Sequence, residues 1–249
     1  TTLTLYPIAQ LELKQLYNKH ELQERLENYL RFGCYPEVIT ANNEEEKKEI
    51  ITEIAHAYLL KDILMLDSVK RPKQLLDLLR LLAFQIGKEV SLSELAQKLM
   101  IDVKTVSRYL DLLEKSFVIY NLRGFSRNLR NEMTKKGKYF FYDLGIRNAL
   151  IANFNSLKLR DDVGELWENF LFIERIKKQS YLKILANNYF WRTWDQKEID
   201  LIEERDGRLY GYEFKWGKKK VKAPKIWLET YKNASFEVIS QDNYLEWIT

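Results

Sequence analysis

Four residues in the second half of the chain have the types that divalent-cation chemistry uses: Glu168, Asp200, Glu213 and Lys215. Asp200 lies in the strand-like run EIDLIEE, and Glu213 and Lys215 lie in a second such run, LYGYEFKW. Charges inside apolar segments are costly unless they are partnered. The two runs are joined by Asp206-Gly207, a dipeptide that favours a tight hairpin turn. Counting outward equally from that turn sets Asp200 opposite Glu213. Strand alternation then puts Glu213 and Lys215 on one face and Tyr212, Phe214 and Trp216 on the other. Glu168 sits on the helical segment VGELWENFLFIERIKKQ and supplies a further carboxylate if that helix packs across the strands. Two or three carboxylates can hold Mg²⁺ or Mn²⁺, which prefer oxygen ligands. Such an ion polarises a phosphate and lowers the pKa of a bound water, and a lysine alongside stabilises charge developing on the phosphate. The plain alternative is a solvated strand face with cross-strand Asp–Lys pairing, worth under about 1 kcal/mol.

Periodicity gives the elements that must position these residues. The pattern predicts a mixed α+β chain in three regions. Residues 1–70 read as helical: LENYLRFGCYPEVI is a helix stopped at Gly33 with Pro36 beyond it, and EEEKKEIITEIAHAYLLKDILML is a long amphipathic helix with an acidic start suited to the helix dipole. Residues 71–154 contain three helical segments. Pro72 opens the first; Ser91-x-x-Glu94 is a capping box for the second; Asp102 caps the third, where Val106, Leu110 and Leu113 share one face while Lys104, Ser107, Arg108 and Asp111 fall elsewhere. The strand-like runs FVIYNL and KYFFYD follow and bracket a basic segment. That order describes a winged helix-turn-helix. Residues 155–249 read helix, three strands, helix, strand, with a short terminal helix.

The order helix-Glu, strand-Asp, hairpin, strand-Glu-x-Lys resembles the PD-(D/E)xK nuclease superfamily, a restriction-endonuclease-like αβββαβ fold. The resemblance implies Glu168, Asp200 and Glu213 as metal ligands and Asp200, Glu213 and Lys215 as catalytic residues. The literal Pro-Asp is missing, because Ile199 precedes Asp200. Over nearly its whole length the chain also resembles the C-terminal region of prokaryotic AAA-type ATPases. The resemblance is carried by LYPIAQLEL, GCYPEVI, YLLKDIL, KTVSRYLDLLEKSFVI, KGKYFFYDLGIRNAL, GELWENFL and the EIDLI…YEFKWG pair. It implies an ATPase core upstream. No G-x-x-x-x-G-K-[S/T] run occurs here, so ATP is expected only in an intact parent. The Thr-Thr start fits a piece of a longer chain.

Composition narrows the partners. The formal charge is +4 and the pI about 8.8, which permits a nucleic acid without requiring one. The expected DNA-contacting residues are Lys104, Ser107 and Arg108 on the third helix and Arg127, Arg130, Lys135 and Lys136 on the wing, with Arg123 and Lys138 in the same basic run; Lys218, Lys219, Lys220, Lys222 and Lys225 form a further cluster. Such groups bind phosphate by Coulomb attraction and counterion release. A protein partner docked on the same module is the alternative. The lone cysteine, Cys34, excludes an internal disulfide and predicts a reducing, cytoplasmic setting. No apolar run approaches the roughly 20 residues of a membrane span, so no membrane partner is expected. The leading functional expectation is a metal-dependent nuclease-like domain with a winged helix; its rival is a non-catalytic DNA-binding or docking module.

Overall fold

The computed structural model describes residues 4–57, 63, 69–126, 136–193, 196–217 and 221–249. The chain adopts the expected α+β class, with helices packed on a mixed sheet of seven strands among the described residues. Helices α1 (Gln10–Leu13), α2 (Lys19–Glu24), α3 (Leu26–Phe32), α4 (Pro36–Thr40) and α5 (Glu44–Ala55) form the N-terminal part. α3 stops as predicted. Gly33 has φ +80°, and a Cβ there would meet the Asp143 carboxylate at 2.0 Å, so both conformation and space demand glycine. Pro36 opens α4 as its first residue, where its missing N–H is no loss. The long helix expected from Glu44 is described as α5 to Ala55, and most of YLLKDIL lies outside the described residues.

Three helices and an antiparallel ribbon follow: α6 (Pro72–Phe84), β1 (Glu89–Val90), α7 (Leu92–Leu99), α8 (Val103–Lys115), β2 (Ile119–Gly124) and β3 (Gly137–Phe141), with β1 and β2 both pairing with β3. Asp102 caps α8, accepting the Thr105 N–H at 2.8 Å. Ser91 caps α7 through the Glu94 N–H at 3.4 Å. The reciprocal half of that box is not made, because the Glu94 carboxylate accepts from Lys98 Nζ at 2.6 Å instead. Val106, Leu110 and Leu113 are buried, which leaves Lys104, Ser107, Arg108 and Asp111 on the exposed side of α8.

After α9 (Leu144–Leu150) the chain runs α10 (Val163–Tyr181), β4 (Asn187–Arg192), β5 (Glu198–Arg205), β6 (Arg208–Phe214), α11 (Lys225–Thr230), β7 (Ala234–Ile239) and α12 (Tyr244–Ile248). This is the expected αβββαβ order plus the terminal helix. The sheet order is β1-β3-β2-β4-β5-β6-β7. β2 pairs in parallel with β4 through Arg123↔Tyr189 and Gly124↔Phe190, so the ribbon and the C-terminal strands belong to one sheet, and one apolar core runs beneath both. α10 is buried on nearly every side, including Glu174, Arg175 and Lys177. Among the described residues no helix is long and apolar enough to cross a membrane.

Candidate functional site

The β5–β6 hairpin has the register that the turn predicts. Asp206 and Gly207 have φ +51° and +70°, the left-handed pair of a two-residue hairpin turn. Pairing runs from Arg205↔Arg208 out to Leu201↔Tyr212, and one step further sets Asp200 beside Glu213. There the Phe214 N–H donates to Asp200 Oδ2 at 2.7 Å. Tyr212 and Phe214 pack on Trp247, with ring centroids 4.9 and 5.4 Å apart, and Trp216 packs on Trp167.

The other ladder of β5 is irregular at the same place. Tyr189 pairs with Ile202 and Trp191 with Ile199, so β5 spends one residue more than β4 between those pairs. The extra residue falls at Asp200–Leu201. A bulge of this kind re-aims side chains and is common beside functional sites. Without it, strict alternation would send Ile199 and Leu201 to one face. Instead Ile199 joins the small cluster with Trp191 and Trp227, and Leu201 joins the main core.

Glu168 of α10 and Asp200, Glu213 and Lys215 of the hairpin converge. Lys215 Nζ lies 2.6 Å from Glu213 Oε1. What the sequence reading missed is the residue between them. Lys138, expected on the basic wing, is not on the surface: it is 4% exposed on β3. Its ammonium lies 3.1 Å from Glu168 Oε1, ion-pairs Glu198 and stands 5.4 Å from the Phe190 ring centre. The α6–β1 connection and β1, which pairs beside Lys138, border the same spot. Gly87, with φ +70°, abuts Glu168, where a Cβ would lie 3.2 Å from Oε2; Glu89 pairs with Arg192 at 2.7 Å. Two signals could have found these residues. Lys138 immediately precedes the aromatic run YFFY, and Glu198 stands two before Asp200 in the same strand.

Burial sets the electrostatics. It pushes the Glu168 carboxyl up to about 8 against the pull of Lys138, and the Asp200 charge adds to the rise. Burial, then the Asp200 charge, raises Glu213 to about 7. Asp200 is raised by burial as well, although Lys138 and the Phe214 N–H oppose the shift. Burial works against the Lys138 charge too, but Glu168, Glu198 and Asp200 together outweigh it and hold its ammonium above the ordinary value. Glu213 Oε2 is buried and accepts no hydrogen bond from a described residue.

These residues do not fit the Mg²⁺ or Mn²⁺ that the sequence assigns to Glu168, Asp200 and Glu213. Glu168 and Glu198 are engaged by Lys138, Glu213 by Lys215, and Asp200 by a backbone N–H. Among the described residues no three carboxylate, imidazole or thiolate groups gather closely enough to hold a metal ion. The arrangement is a lysine-centred carboxylate network, and its ammonium groups do the neutralising that an ion would do.

Lys104, Ser107 and Arg108 are exposed on α8 and make no ion pair with a described residue. Ser107, Arg123 and Lys136 line a cleft of about 650 Å³ between α7, α8 and the ribbon, together with the acidic Asp111 and Glu114. A second cleft of about 440 Å³, walled by Phe125, Phe190, Arg192 and Gln196, also includes Lys136, so the two meet there. Arg127, Arg130 and Lys135 lie outside the described residues, as do Lys218, Lys219 and Lys220.

Comparison with known proteins finds uncharacterized relatives. One from Haemophilus influenzae is 27% identical over 216 residues, 83% of this chain and 51% of its own length. One from Mycobacterium tuberculosis is 32% identical over 139 residues, 54% of this chain and 30% of its own length. One from Methanocaldococcus jannaschii is 24% identical over 74% of this chain and 40% of its own length. The chain thus spans about half or less of the curated relatives it matches. No solved structure matches it significantly. Residues 163–242, from the start of α10 to just past β7, match the domain of unknown function DUF4143. Residues 23–160, more than half of the chain, match the domain of unknown function DUF8612, and the chain belongs to that family.

Proposed function

We propose that this chain is a nucleic-acid-binding, non-hydrolytic portion of a longer AAA-type ATPase. In this reading the α6–α8 unit and its ribbon act as a winged helix, and the C-terminal αβββαβ unit keeps a nuclease-like scaffold without nuclease chemistry. One observation carries it: α8 offers Lys104, Ser107 and Arg108 to solvent beside a cleft whose wall includes Arg123 and Lys136. A helix edge and a basic ribbon placed in this way can straddle a sugar-phosphate backbone, where cations supply affinity and register. The motif resemblance to ATPase C-terminal regions supports the parent assignment, as does the greater length of the relatives.

The test is a fluorescence titration with duplex and single-stranded DNA over a salt series. Binding is expected to weaken steeply with salt. The K104A/R108A variant should bind more weakly on every sequence and should lower the salt slope by about two. A salt-independent affinity, or none at all, favours a protein partner and sinks the reading.

A second reading, phosphodiester hydrolysis, retains one observation in its favour, the convergence of Glu168, Asp200, Glu213 and Lys215. Plasmid incubated with Mn²⁺ decides it. Nicking by the wild type that disappears in D200A would establish hydrolysis and remove the non-hydrolytic half of the proposal.

A further inference from the structure

The molecule offers several unexplained polar features. The buried Cys34–Asp143–Glu174–Lys177 knot joins the N-terminal helices to α10, but its cavity of about 20 Å³ has room for no more than a water. The exposed apolar residues Met100, Leu159 and Leu185 are scattered. The lysine at the centre of the carboxylate network is different, because its position answers a chemical question.

We infer that Lys138 is the resident cation of the nuclease-like centre: its ammonium fills the place a divalent ion would take between Glu168 and the hairpin acids, and it makes the centre metal-free. The inference rests on the non-hydrolytic reading above and deepens it. Lys138 is buried with its charge aimed at the carboxylates, 3.1 Å from Glu168 and paired with Glu198. Its backbone is fixed on β3 by pairing with Leu122 on one side and Glu89 on the other. The side chain therefore enters from a strand held on both edges. A second ammonium, Lys215, neutralises Glu213. A divalent ion entering this set would lie against one buried like charge, Lys138, and a second, partly exposed one, Lys215, and repulsion is strong where screening is poor.

The architecture makes the arrangement specific. Lys138 belongs to the part matching DUF8612, and Glu168, Asp200, Glu213 and Lys215 belong to the part matching DUF4143. The counter-charge of one unit is thus supplied by the other, across the β2–β4 junction that makes their sheet continuous. Lys138 is a positioning and neutralising residue in this role, and it touches no substrate.

The experiment is a Mn²⁺ titration read by electron paramagnetic resonance and by calorimetry, on the wild type, K138M, K138R and K138M/E168Q, together with thermal melts in chelator and in Mn²⁺. The wild type and K138R are expected to show no saturable Mn²⁺ site. K138M keeps the bulk of the side chain and removes its charge; it should bind one Mn²⁺ at least about tenfold more tightly than the wild type. K138M/E168Q should lose that site, and only K138M should gain melting temperature on adding Mn²⁺. Stoichiometric binding by the wild type overturns the inference, as does a folded K138M that binds no ion. If K138M is unfolded in chelator, refolding by Mn²⁺ supports the inference and failure of Mn²⁺ to refold it counts against it. These readouts are independent of cleavage. Wild type that binds Mn²⁺ without nicking DNA sinks the inference and spares the non-hydrolytic reading, whereas nicking abolished in D200A sinks that reading directly.

Discussion

Glu203 and Asp200 stand three residues apart on β5, and each enters a charge network under α10, yet the two networks are built on different terms. Glu203, fully buried, is gripped by both arms of the Arg175 guanidinium, with Nη2 2.9 Å from Oε2. Gln179 donates to its other oxygen at 2.9 Å and Arg205 stands 3.3 Å away. Arg175 also donates to the Trp247 carbonyl at 3.0 Å and lies over the Trp247 ring. This is a paired, hydrogen-bonded arrangement in which the planar fork matches the carboxylate. Around Asp200, among the described residues, the carboxylates Glu168, Glu198, Asp200 and Glu213 share the ammonium groups Lys138 and Lys215, and one oxygen of Glu213 accepts no hydrogen bond from a described residue. A structural network pairs its charges and locks the fold. One in which acids crowd together instead raises their pKa values.

The comparison breaks most visibly if the paired network is opened. R175M leaves buried Glu203 with Gln179 and the more distant Arg205 in place of a bidentate guanidinium, and removing one partner of a buried pair costs about 3–5 kcal/mol. The urea unfolding midpoint should fall accordingly with an unchanged slope; a loss under about 1 kcal/mol would mean that the network is ornamental. K138M should cost less, about 2–3 kcal/mol at neutral pH. Glu168 is already poised to take up a proton, so its charge disappears rather than remaining stranded. A K138M loss equal to or larger than that of R175M would erase the distinction between the networks.

Much of this was written locally in the sequence. The Asp206-Gly207 turn and the two-residue period place Asp200 by Glu213, Asp102 announces α8, and the αβββαβ order follows from pattern alone. The decisive residue was not legible. Lys138 reaches Glu168 through tertiary pairing between β2 and β4, strands separated by more than sixty positions of chain, and no local period encodes that. Composition pointed the wrong way, since Lys138 closes a run rich in arginine and lysine and so reads as another wing charge. The bulge at Asp200–Leu201 was equally hidden, because strict alternation gives no sign of an inserted residue. The burial of Glu174, Arg175 and Lys177 escaped notice for a related reason: the apolar stripe of Leu166, Phe170, Ile173 and Ile176 defines one buried face of α10 and says nothing about a helix enclosed on all sides.

Acidity sharpens the comparison further. A carboxyl raised by folding holds its proton in the native state at pH values where the unfolded chain has released it. The native state then binds more protons, and stability falls as pH rises between the two pKa values. For Glu168, raised from 4.5 to about 8, and Glu213, raised from 4.5 to about 7, the decline should run from about pH 5 to about pH 8 and then level, with the steps shared within the coupled set. E168Q should flatten the upper part of that decline in urea melts taken across the range. An unchanged slope in E168Q would assign the decline to other groups.

The smallest expected change is the most discriminating. Gln in place of Glu213 keeps the shape and one acceptor while removing a charge that burial and Asp200 both disfavour. Its amide can lie against Lys215 through the oxygen and turn its NH₂ toward the neighbouring carboxylates, where Glu213 Oε2 accepts no hydrogen bond from a described residue. Stability at pH 7.5 should therefore be unchanged or improved, within about 1 kcal/mol. The matched substitution E203Q deprives Arg175 of its charge partner and should cost more than E213Q by about 2 kcal/mol. If both substitutions destabilise equally, the acids around Asp200 are ordinary structural partners like Glu203. If E213Q is neutral while E203Q is costly, the hairpin carries two buried acids of which Glu203 stabilises the fold and Glu213 does not.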